Sequence, residues 1–243
     1  MTFRLGGGER IRMKNDSLKV QRMATKTRLL IQELRLFVSS MRFSEPTSRR
    51  RLATSLLMAS MEHGEGAAFL MEQGPLYYGS PASALARPQI ECFLRGVFFH
   101  SDASTDQEVV AFIENDEWPT RLDGKSKRKV SLGDMETIAI EGLGKISAQL
   151  SSIPMTQLFP FQPNELHGFV HGGAALVKNY RINQTSTGFN APASELLSLL
   201  GNAGLVAGYA LSYIVARIAN YSGNEPAALR EAHDAFKAEI LDR

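Results

Sequence analysis

The sequence reads as a single all-α domain, a helical bundle of roughly seven or eight helices. Apolar residues recur at three- and four-residue spacings through most of the chain, the period of a helix with one buried face. Several of these segments open on a capping hydroxyl or on a proline in the first turn, both helix-start signals. No stretch of apolar–polar alternation is long enough to specify a sheet.

Taken in order, residues 1–16 are glycine-rich and charged, and read as a flexible extension ahead of a domain covering 17–243. Residues 17–42 carry Leu18, Val20, Met23, Leu29, Leu30, Leu34, Phe37, Val38 and Met41 on an amphipathic helix. Thr47, after Pro46, caps a second helix running to about Gln73, and Ser80-Pro81 starts a third that ends near His100. A short helix covers 105–115, followed by a polar loop over 116–130 that contains Trp118-Pro119 and Asp123-Gly124. Ser131 with Asp134 resembles a capping box and opens a helix to about Ser152. After Pro154, Pro160 and Pro163 comes a helix to about Tyr180, then a polar turn over 181–191. A long apolar helix runs from about Pro192 to Tyr221, and Asn224-Glu225-Pro226 starts a last amphipathic helix.

With 44% hydrophobic and 21% charged residues, the composition is that of a globular protein and excludes a disordered one. The N-terminus has no continuous apolar run, so no signal peptide is read there. Cys92 has no partner for a disulfide, which points to a cytoplasmic setting. Its neighbours Ile90, Phe93 and Leu94 make it a packed small hydrophobe before a nucleophile. The net charge of +2 is unevenly spread: residues 1–51 hold 13 Lys/Arg against 4 Asp/Glu, and the remainder is acidic. That basic front, and the cluster Arg121, Lys125, Lys127, Arg128 and Lys129, can meet RNA or the acidic body of the same or another chain.

Between Glu195 and Arg217 lie 21 uncharged residues, enough to cross a bilayer, and Gly204-x-x-x-Gly208 is a membrane-packing pattern. Ser198, Asn202 and Ser212 interrupt it, and no other segment matches it, so a buried central helix is expected and no membrane contact. In that reading Gly201, Gly204 and Gly208 let neighbouring helices approach closely.

Two polar clusters carry the candidate chemistry. His167 and His171, four residues apart and followed by Gly172-Gly173, share a helix face and lie near physiological pKa. No spaced carboxylate or cysteine set completes a metal shell around them, so neither a metal nor any cofactor is expected. Upstream, Arg87, Glu91 and Arg95 also share one face, with Glu91 placed to pair with both arginines. This triad is either an internal salt-bridge network that fixes helix packing, or an anion site in which Glu91 holds a phosphate-binding arginine. The histidines are open in the same way, between acid–base work and a hydrogen-bonded core.

Arg87-Pro88-Gln89-Ile90-Glu91 on one helix, with Leu166 and His171-Gly172-Gly173 on a later one, resembles the HEPN-like helical superfamily over roughly residues 45–220. The resemblance implies a compact, dimeric helical bundle and a metal-independent ribonuclease of a bacterial toxin or antiviral system. It implies RNA as substrate and an antitoxin-like protein partner. It makes His171 the general base or acid; Arg87 or Arg95, held by Glu91, would then complete the catalytic site as the phosphate binder from another helix. His167, Asn164 and Arg181 then fall at substrate-binding positions. Nucleases of the superfamily resemble one another in an arginine followed four to six residues later by a histidine. Ahead of His167 and His171 no arginine stands at that spacing; Asn164 is the polar residue there, and Arg181 is the nearest arginine downstream. The alternative is a non-catalytic helical binding module with a structural Arg/Glu/His polar core.

Overall fold

Gly74 sets the frame of the molecule. Its φ of 153° is a backbone conformation open to glycine, and it reverses the chain between two 26-residue helices with no intervening loop. The computed structural model describes residues 7–43, 47–123, 126–147, 181–183, 186–187, 191–219 and 221–241. Among these, α1 (Gly7–Ser40), α2 (Ser48–Gln73), α3 (Pro75–His100), α4 (Asp106–Asn115) and α5 (Leu132–Gly144) come first. They are followed by α6 (Ala193–Tyr213), which runs into a π-helical turn at Ile214–Ile218, and then α7 (Ala227–Leu241). Two small antiparallel pairs accompany the helices: β1 (Thr120–Asp123) with β2 (Ser126–Lys129), and β3 (Arg181–Asn183) with β4 (Ser186–Thr187). The protein is all-α.

The antiparallel α2–α3 pair is the most extensive helix contact, with α1 and α6 packed against it. Close approach is set at Gly96, where a Cβ would lie 2.8 Å from Leu57 Cγ, and at Gly64, where it would meet the Gln89 side chain. Buried polar groups fix the register of these helices. Gln89 Nε2 donates to the Ala203 carbonyl of α6 at 2.9 Å, and Ser60 Oγ donates to the Gln89 carbonyl at 2.8 Å. α5 lies on α3, and α7 lies on α1.

Several sequence expectations shift. The first helix begins at Gly7, inside the expected extension. Ser80-Pro81 is not a helix start: Gly74 breaks the chain and Pro75 takes the first helical position, so Pro81 and Pro88 both lie inside α3. The polar loop over 116–130 contains the β1–β2 hairpin, and the 181–191 turn contains the β3–β4 pair. Thr47 caps α2 by accepting from the Arg50 amide, and Ser131 with Asp134 forms the expected capping box on α5. α5 ends at Gly144, short of the expected Ser152.

The apolar segment Ala193–Ile218, with a mean hydropathy of 1.5, is the one helix among the described residues long and apolar enough to cross a membrane. It packs against α1, α2 and α3, with Leu196, Leu200, Ala203, Val206, Ala207 and Ala210 buried. Gly204 and Gly208 do not bring helix backbones together. A Cβ on Gly204 would overlap the Phe236 ring of α7, and one on Gly208 would meet no atom of the described residues within 4 Å.

Candidate functional site

The triad forms on α3 as the four-residue spacing requires. Glu91 Oε1 accepts from Arg87 Nε at 2.6 Å, and Oε2 accepts from an Arg95 Nη at 3.1 Å. The three side chains are 23%, 18% and 30% exposed, so they are neither sealed in the core nor splayed on the surface. Arg95 also stacks over the Trp118 ring at 4.6 Å, a cation–π contact that ties α3 to the residues leading into β1. Trp118 is held in turn by its indole N–H, which donates to the Val130 carbonyl at 2.8 Å. The Arg95 Nε is buried and has no hydrogen-bond partner among the described residues. Cys92, next to the triad and half-buried, has its thiol pushed up by burial, so it stays protonated at neutral pH and is no nucleophile.

His167, His171 and Asn164 lie outside the described residues, as do the side chain of Arg181 and the Gly172-Gly173 pair. The basic cluster expected in the loop is partly committed to ion pairs. Arg121 pairs with Glu108 and donates to the Ala103 carbonyl, and Arg128 pairs with Asp134 at 2.5 Å.

A second polar constellation sits at the C-terminus of α3 and was missed in the sequence. His100, the last residue of the helix, has its Nδ1 3.2 Å from the Tyr213 hydroxyl, and the two rings meet edge to face. Tyr213 is the last residue of α6 before the π turn, where the Ala219 amide reaches back five residues to the Ile214 carbonyl at 2.7 Å. π turns of this kind recur at functional sites. Gly142 of α5 lets that backbone pass over the Tyr213 ring, since a Cβ there would lie 3.1 Å from Cε2.

Arg49 of α2 anchors the same corner. Its Nη1 donates to the Phe99 and Ser101 carbonyls and to Ser104 Oγ at 2.8–2.9 Å, satisfying carbonyls that the end of α3 leaves unpaired. Its Nη2 and Nε reach Asp106 Oδ1 at 2.7 and 3.0 Å.

Burial, and then the positive charges of Arg217, Arg49 and Arg50, bring the His100 pKa down to about 4, with Asp102 opposing them. Burial takes the Tyr213 hydroxyl up to about 12. At neutral pH the pair is therefore an uncharged imidazole beside an intact phenol, set among cations. Nε2 has no hydrogen-bond partner among the described residues. Such a ring can exchange a proton with a bound group, and an anion placed against the arginines would raise its proton affinity.

One signal for this site stood in the sequence. Arg95 precedes His100 by five residues, the spacing that is absent ahead of His167 and His171. On a helix five residues turn through about 140° and rise about 7.5 Å, so the two side chains leave α3 on different faces. Arg95 faces Glu91 and Trp118, while His100 faces Tyr213. Among the described residues no group of three or more His, Cys, Asp or Glu side chains is placed to hold a metal ion.

The model of DUF6988, a family of unknown function, matches residues 57–241. The chain belongs to that family. No curated protein and no solved structure matches the chain. The part matched by DUF6988 takes in the triad, His100, Tyr213 and Arg217, while Arg49 and Arg50 precede it.

Proposed function

We propose that this DUF6988 member is a HEPN-like, metal-independent ribonuclease of a bacterial conflict system, acting as a cytoplasmic homodimer restrained by a protein partner. The observation that carries the reading is His100: a neutral imidazole, bonded to Tyr213 and set in the positive charge of Arg217, Arg49 and Arg50. In this reading RNA brings the phosphate to the arginine field and presents a 2′-hydroxyl to His100 Nε2. The imidazole takes the hydroxyl proton, and the 2′-oxygen attacks the adjacent phosphorus. The P–O5′ bond breaks and the 5′-oxygen takes a proton from water, giving a 2′,3′-cyclic phosphate and a 5′-hydroxyl end, while the imidazolium returns its proton to solvent. The Tyr213 hydroxyl holds the ring's other nitrogen and so its orientation; when Nδ1–H donates to that hydroxyl, Nε2 carries the free lone pair that takes the proton. Exposed Arg217 is the cation whose charge acts most strongly on His100, and it is the phosphate-binding side chain in this reading.

The test is RNA cleavage in chelator by the wild type, His100→Ala and His171→Ala. Loss of activity in the first variant alone supports His100 as the base; loss in the second alone returns that role to His171.

A second reading is favoured by one observation: Glu91 holds both Arg87 and Arg95, as a structural polar core would. In that case the protein is a non-catalytic binding module, and the wild type cleaves no RNA.

A further inference from the structure

On the far side of α6 from α3, a pocket of about 270 Å³ opens between α1, α6 and α7. Leu30 and Leu34 of α1, Leu205 of α6, and Leu229 and Phe236 of α7 give it apolar walls. Polar groups are confined to Tyr209, Ser212, Glu225 and His233. Ser212 is spent on its own helix, donating to the Gly208 carbonyl at 2.9 Å. Glu225 is held only loosely, 3.9 Å from Arg230 Nε.

Gly208 lines this pocket, and it is the unusual feature. A glycine inside an α-helix is destabilising by about 1 kcal/mol relative to alanine, so it is normally present where a neighbour needs the space. Gly204, one turn earlier, fits that rule, because the Phe236 ring occupies its missing side chain's place. At Gly208 no atom of the described residues lies within 4 Å of where a Cβ would be, and the space it leaves is part of the pocket lining.

We propose that this pocket is a binding site for a compact, uncharged aromatic molecule with one hydrogen-bonding group. Its volume of about 270 Å³ lies just below the range of drug-sized ligand sites, about 300–1,000 Å³, and suits one or two fused rings. The Phe236 and Tyr209 rings offer aromatic contact, and the leucines offer apolar walls. The Glu225 carboxylate at the rim accepts a hydrogen bond and repels an anionic ligand. Tyr209, half-buried with its hydroxyl pKa raised by burial, stays protonated as a donor. This site is separate from the His100 corner and does not depend on the ribonuclease reading.

The probe is indole, titrated into the full chain and followed by calorimetry and amide NMR, with indole-3-carboxylate as the anionic comparison. Saturable binding with a Kd of about 0.1–1 mM is expected, as is usual for a fragment of nine heavy atoms, with shifts at Gly208, Leu229 and Phe236 and at least tenfold weaker binding of the carboxylate. Gly208→Leu fills the space and abolishes binding without lowering the melting temperature. Gly208→Ala, which adds one methyl group, weakens binding several-fold and covers the case in which the leucine variant does not fold. No saturable binding of indole, or unchanged binding by both variants, overturns the proposal. So does a concentration-dependent dimer that Gly208→Leu abolishes while indole has no effect, since a second copy would then be the occupant.

Discussion

Arg49→Ala removes one side chain that makes most of the connections at the end of α3. The wild-type guanidinium, 21% exposed, donates to two α3-terminal carbonyls, to Ser104 and to Asp106. A hydrogen bond from a charged donor contributes about 1.5–3 kcal/mol singly, but bonds that share one guanidinium do not add, and water can reach part of this site. The net loss is therefore about 3 kcal/mol, or a fall of about 6–12 °C in melting temperature for a chain of this length. Arg49→Lys restores the charge without the planar fork and should recover less than half of that. Loss of the charge also removes one of the influences that hold the His100 pKa near 4, so that pKa should rise in Arg49→Ala and not in Arg49→Lys. Circular dichroism melts at pH 7.5 and an NMR titration of the imidazole measure the two effects. A melting temperature within about 2 °C of wild type would refute the anchoring role, and an unmoved His100 pKa would refute the electrostatic one.

Three further predictions concern the same framework. The His100 pKa falls from 6.5 to about 4 on folding, so the unfolded chain takes the proton first as pH drops; stability should be full above pH 6.5 and decline toward pH 4. The decline attributable to this ring, lessened by its partial exposure, is about 2 kcal/mol and should vanish in His100→Gln when denaturant melts are compared across that range. Glu91→Ala leaves Arg87 and Arg95 without their shared carboxylate and should lose about 2 kcal/mol, with Glu91→Gln intermediate; equal stability of all three would show that the triad holds nothing. Gly204→Ala should lose about 1–3 kcal/mol through overlap with Phe236, whereas Gly208→Ala should lose none, and equal melting temperatures would contradict that difference.

The helical periodicity made the class and most of the helices legible, and so did the capping hydroxyls of Thr47 and Ser131, because these signals act within one or two turns. The start of α3 was misplaced because Gly74 takes a positive φ that makes Pro75 the first-turn proline, and nothing near Ser80-Pro81 announces this. The π turn after Tyr213 has no local sequence signature. The role of Gly208 depends on where α1 and α7 stop short of α6, which is a tertiary fact. In the polar sites, the Arg87–Glu91–Arg95 pairing followed directly from four-residue spacing. His100 was overlooked because its partner Tyr213 is 113 residues away and its anchor Arg49 lies on another helix. Only the Arg95–His100 spacing was there to be read.

The most direct test is the product of RNA digestion in a metal-free buffer containing chelator, using a single-stranded RNA and the same strand with 2′-deoxy substitution at each cleavage site. The account predicts that the wild type cleaves the ribose strand, leaves 2′,3′-cyclic phosphate and 5′-hydroxyl ends, and spares the deoxy sites, and that His100→Ala remains folded and inactive. A wild type that leaves the RNA intact, or a His100→Ala variant as active as wild type, would contradict it.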